Sequence, residues 1–161
     1  MLLSQTQLLH SSVEIGSISE VRGNAQVLRD KPYGAELAFN IQQMDDVRTE
    51  SGRVAITFAD SSTVKLTEHS KLVIDEYIYD PDPSKSKMAL KFASGTARFI
   101  TGKFNNKSNI SIRTPTADIA IRGTDFTCTV DELGRSLVIL LPDENGISSG
   151  EILVSTAMGS V

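Results

Sequence analysis

Residues 112–126 read Ile112-Arg113-Thr114-Pro115-Thr116-Ala117-Asp118-Ile119-Ala120-Ile121-Arg122-Gly123-Thr124-Asp125-Phe126. Ile110 and Ile112 alternate with polar residues up to Thr114-Pro115, and Ile119 and Ile121 alternate again up to Gly123. A period of two sets one face of an extended strand against a core. Pro115 brings no N–H to a sheet ladder and ends the first strand. Gly123 permits a reversal without a Cβ penalty, and Phe126 returns the chain to the core with Cys128 and Val130 in phase behind it.

The same grammar extends in both directions. Val54, Ile56 and Phe58 alternate, and Val64 and Leu66 follow the polar break Asp60-Ser61-Ser62. Leu72 and Ile74 pass to Tyr77 and Tyr79 with a change of phase near Asp75-Glu76, as a bulge produces. Met88, Leu90 and Phe92 lead to a turn at Ser94-Gly95, after which Ala97 and Phe99 continue. Asp80-Pro81-Asp82-Pro83-Ser84-Lys85 reads as a long hairpin loop. Leu137 to Leu141 is an unbroken apolar run, the pattern of a fully buried strand, and Ile152 to Val154 begins another strand. Turn signals every ~8–12 residues predict an all-β single domain of many short strands, β-solenoid-like or a twisted β-sandwich of stacked hairpins.

Bulk properties narrow the function. The chain has 161 residues, enough for one domain with a sizeable core. Lys and Arg total 16 against 20 acids, a net charge of -4, which disfavours a duplex-DNA binder. The single cysteine, Cys128, excludes a disulfide framework, and its place between Phe126 and Val130 reads as core. Met1 to His10 carries no Lys or Arg and breaks its leucines into pairs, so no secretory signal is expected. Residues 1–12 read as an N-terminal arm, with Leu2, Leu3, Leu8 and Leu9 as docking side chains, and 13–161 as the domain.

No catalytic, cofactor-binding or metal-ligating set is expected. His10 and His69 belong to no metal spacing. Asp45-Asp46, Asp80-Pro81-Asp82 and Asp143-Glu144 fall in predicted turns and read as solvated carboxylates. Arg98, Lys103, Lys107, Arg113 and Arg122 read as solvent-facing positions of alternating strands, or else line a surface for carbohydrate, phosphate or an acidic protein. Arg122 beside Gly123 has Asp125 as its nearest candidate partner.

The stretch from Ile112 to Phe126 resembles the signature of FecR-like (iron-dicitrate sensor) domains, in which T-P-T-A precedes a short apolar strand and R-G-T-x-F. The residues carrying it are Thr114, Pro115, Ala117, Arg122, Gly123, Thr124 and Phe126. Upstream, Gly16-Ser17-Ile18 through Ala25, Asp46-Val47-Arg48-Thr49, Asp60 through Leu66 and Ser94 through Phe99 follow in the family's order, so the likeness spans roughly Val13 to Val130. Asp45 and Ser61 stand where the family carries turn glycines, and both residue types enter turns. The lack of a catalytic set, the charge balance and the lack of an apolar run of ~20 residues lead to the expectation of a non-enzymatic structural or adaptor protein that binds other proteins, with no nucleic acid and no membrane insertion. Free-standing members similar to this chain point to a tailed-phage virion component (tail, neck or capsid-associated), oligomeric in an assembly and located in the particle. The alternatives are a periplasmic signalling domain that meets a receptor's signalling domain, and a carbohydrate-binding module using Arg98, Tyr77 or Tyr79.

Overall fold

The computed structural model describes residues 14–101, 109–123, 125–142, 144–147, 150–157 and 159–160. The chain is all-β, as the alternation predicts, and forms one curled sheet of short strands. In order these are β1 (Glu14–Arg22), β2 (Ala25–Leu28), β3 (Pro32–Gly34), β4 (Asn40–Gln42), β5 (Asp46–Thr49), β6 (Arg53–Phe58), β7 (Thr63–Leu66) and β8 (Lys71–Ile78). A short 3-10 turn at Pro83–Lys85 precedes β9 (Lys87–Ile100). There follow β10 (Asn109–Arg113), β11 (Asp118–Arg122), β12 (Phe126–Val130), β13 (Ser136–Leu140), β14 (Glu151–Thr156) and β15 (Gly159–Ser160).

The sheet has two flanks joined by β9. One flank runs β4-β1-β6-β7, then the second half of β9, then β12-β13. The other runs β3-β2-β5-β8, then the first half of β9, then β10-β11-β14-β15. Among the described residues every pairing is antiparallel except β9 with β10. The flanks enclose one core: Phe58 stacks on Tyr77 at 5.3 Å, and Phe92 meets Phe99 edge-on at 6.4 Å.

Ser94-Gly95 is therefore not a reversal. The strand continues for 14 residues and bends there. Its buried residues are Met88, Leu90 and Phe92 before the bend but Ala97 and Phe99 after it, so the inward face changes parity. Gly95 makes this possible with φ +98° and with its α-carbon against Ser70, where a Cβ would lie 2.6 Å from the Ser70 Cα. Thr96 N–H donates to the Ser70 hydroxyl, fixing the crossing.

Other expectations hold in detail. The phase change at Asp75-Glu76 is a register shift between Ile74 and Glu76. The Asp80–Lys85 stretch closes the β8–β9 hairpin, with Tyr77 opposite Met88. Gly123, at φ +55°, carries the chain between flanks rather than into a hairpin, because β11 and β12 are not neighbours. Phe126 is 1% exposed and stacks on Phe99 at 4.7 Å. Leu137 to Leu141 is the main departure: among the described residues β13 is an edge strand, not a buried one, and alternates between half-buried and exposed residues.

Candidate functional site: the open edge of β13

Among the described residues β13 has one neighbour, β12. Asp131 N–H donates to the Arg135 carbonyl at one end of the pair, and Leu141 N–H to the Asp125 carbonyl at the other. Antiparallel geometry then points the N–H and C=O groups of Leu137 and Ile139 at β12, and those of Val138 and Leu140 away from it. Leu137 is 58% exposed and Ile139 48%, while Val138 packs on the core. Leu133, 77% exposed in the β12–β13 loop, extends the apolar surface. Natural sheets guard such edges with charge, proline or bulges, and Ser-Leu-Val-Ile-Leu has none of these.

The signature turn braces this strand. Thr114 follows the last residue of β10, its hydroxyl accepting the N–H groups of Ala117 (3.0 Å) and Thr116 (3.3 Å). That compact turn brings the Thr114 hydroxyl within 2.6 Å of the Ser136 hydroxyl, and the Thr116 hydroxyl donates to the Gly134 carbonyl at 2.7 Å. Pro115 lies against Gly134, 3.2 Å from where a Cβ would stand. Thr114 and Thr116 thus hold Ser136, the first residue of β13, from the opposite flank, and Pro115 packs on the loop before it. Thr124 and the arm residues Leu2, Leu3, Leu8 and Leu9 lie outside the described residues.

The basic residues do not converge. Arg98 is exposed on the β13 flank, whereas Arg113 pairs with Asp118 at 3.0 Å on the other flank. Arg122 is exposed there too, opposite Glu151 in register, while the Asp125 carboxylate accepts from Thr101 N–H. Lys103 and Lys107 lie outside the described residues. Tyr77 is 7% exposed, and its hydroxyl donates to Asp60 at 2.9 Å, so it presents no ring to a sugar. Tyr79 is 43% exposed and directly follows β8, which pairs with the first half of β9, whereas Arg98 lies in the second half.

Two turn carboxylates are not solvated. Asp45 is fully buried, taking a two-pronged contact from Arg29 (2.7 Å to each oxygen) and the Gln42 N–H at 2.9 Å. Arg29 also lies over the rings of Phe39 and Tyr33. The left-handed residue of that turn is Met44 (φ 73°), which leaves Asp45 free of the role a glycine would have there, whereas Ser61 does take it (φ 70°). Asp60 is fully buried beneath Tyr77 and Ser62. Cys128 is also fully buried, and burial pushes its thiol up to about 11, which makes it a core side chain without nucleophilic character at neutral pH. No group of metal-ligating residues occurs among the described residues.

The fold and its edge define a two-flanked β module that presents an unguarded strand. A family model described as FecR protein matches residues 45–143, more than half of the chain. The chain belongs to the FecR family. The match opens at Asp45, one residue before β5, and takes in β13. No curated protein and no solved structure matches the chain.

Proposed function

We infer that the chain is a non-enzymatic, protein-binding module of the sensor or signalling type, which receives an extended segment of a partner along β13. The observation that carries this is the outward-facing pair Leu137 and Ile139 on a strand whose second edge has no neighbour among the described residues. An added strand gains main-chain hydrogen bonds from Val138 and Leu140, and alternate side chains give selectivity. Membership of the FecR family supports a signalling contact, and the periplasm is the location proposed with it. The virion setting expected from the sequence has no observation behind it.

Photo-crosslinking tests the reading. A benzophenone side chain at Leu137 in the native host is expected to give one discrete adduct, lost on Ile139→Lys. The same group at Ser111, exposed on the other flank, is expected to give none. Equal adducts from both positions, or persistence in the Ile139→Lys chain, would refute it.

A further inference from the structure

The outer face of the β13 flank carries a transverse row in register: Glu20, Ala55, Lys65, Arg98, Thr127 and Ile139. Ala55 faces away from the core yet is only 4% exposed, because longer side chains surround it. It floors a groove of about 350 Å³ lined by Arg53, Lys65, Thr67, Thr96, Arg98 and Thr127, with Glu20 at its rim. Lys65 and Arg98 stand directly opposite each other on β7 and β9, and like charges so placed destabilise a sheet.

Acids elsewhere on this face are engaged: Glu68 pairs with Arg53 at 2.9 Å, and Glu20 faces Arg22 at 4.0 Å. On the other flank, Lys87 has Glu76, Lys91 has Asp75 and Arg113 has Asp118. Neither Lys65 nor Arg98 forms an ion pair among the described residues. Two adjacent uncompensated cations over a concave floor, on a chain of net charge -4, form a local site for carboxylates. Two charges are too few for a polyphosphate chain, which binds through an extended basic stripe.

We propose that this groove receives an acidic segment of the partner protein, its carboxylates lying on Lys65 and Arg98. The proposal rests on the protein-binding reading above and specifies the partner's chemistry. Three strand spacings, about 14 Å, separate Lys65 from β13, so one partner spans the groove and the edge together. The sheet tolerates the repulsion between the two cations, and the partner relieves it.

The test is an NMR titration of the full chain with a short glutamate peptide at low salt. Amide shifts are expected at Lys65, Arg98 and Thr127, with affinity falling about tenfold in the Lys65→Gln/Arg98→Gln double variant and with added salt. Arg113→Gln is expected to leave the titration unchanged, and Ile139→Lys, which adds a cation to the same row, is expected not to weaken it. The double variant is expected to melt no lower than the native chain, since a like-charge pair is removed. Unaltered peptide affinity in the double variant would overturn the proposal. So would inorganic phosphate or a single-stranded oligonucleotide binding the groove as tightly as the peptide at matched ionic strength. Because Ile139→Lys removes neither groove cation, loss of the crosslink with an unweakened titration separates failure of one reading from failure of the other.

Discussion

Gly95→Ala strikes the bend on which the two flanks depend. The backbone there has φ +98°, and an L side chain pays roughly 1–2 kcal/mol for a left-handed conformation. The added Cβ would stand 2.2 Å from the Ser70 hydroxyl oxygen and 2.6 Å from the Ser70 Cα, both far inside contact distance. Relieving that overlap costs a further ~1–3 kcal/mol of overpacking. It also displaces the Ser70 hydroxyl from Thr96 N–H, a bond worth about 1 kcal/mol. The sum, about 3–6 kcal/mol, is a large part of the ~5–15 kcal/mol that holds a domain folded. For a chain of this size it lowers Tm by about 6–24 °C. Urea and thermal unfolding followed by circular dichroism measure it, with Gly34→Ala as the control because no atom lies within 4 Å of its Cβ position. Trimming Ser70 to glycine in the Gly95→Ala background is expected to recover only part of the loss, because the overlap with the Ser70 Cα remains. A Gly95→Ala chain within about 1 kcal/mol of the native one would refute the bend as the organising element.

Asp45→Ala is expected to destabilise by about 2–3 kcal/mol, less than for a sealed pair because the Arg29 side chain is 26% exposed and can rehydrate. A double-mutant cycle with Arg29→Ala checks it, with a coupling near zero as the adverse result. Alkali is expected to weaken the fold. Burial raises the Tyr77 hydroxyl, with the Asp60 charge adding to it, and burial raises the Cys128 thiol to about 11. Once unfolded they ionise near their ordinary values of 10.0 and 9.0, so above those values the unfolded chain binds fewer protons than the folded one. Stability contributed by the neutral groups is therefore full below pH 9 and declines as pH rises through 9 to 11. Urea midpoints at pH 8 and 10.5 test this, and Tyr77→Phe is expected to flatten the fall above pH 10; an unchanged slope in that variant would count against it.

Much of the fold is legible in residues that speak locally. The bulge shows because Leu72 and Ile74 share one parity and Tyr77 the other, and the β8–β9 loop shows because its prolines cannot join a ladder. Phe126 and Cys128 are readable as core from alternation alone. Three features are not local. Ser94-Gly95 gives the same signal for a reversal and for a bend, and the choice is made by Ser70, twenty-five positions upstream of Gly95. Asp45 looks like a solvated turn acid because its partner Arg29 is 16 residues away. Leu137 to Leu141 reads identically as a central or an edge strand, because edge status is a property of topology and not of composition. The candidate site is therefore hidden in the sequence for the same reason as the bend. Register also hides the Lys65–Arg98 pair, whose members are distant in sequence and adjacent across β7 and β9.

The openness of β13 is tested most directly by residue-resolved amide hydrogen exchange on the isolated chain. The N–H groups of Leu137 and Ile139, bonded to β12, are expected to exchange slowly. Those of Val138 and Leu140, directed outward, are expected to exchange orders of magnitude faster. Equal protection of all four amides would mean that the edge is already covered, and would contradict the account.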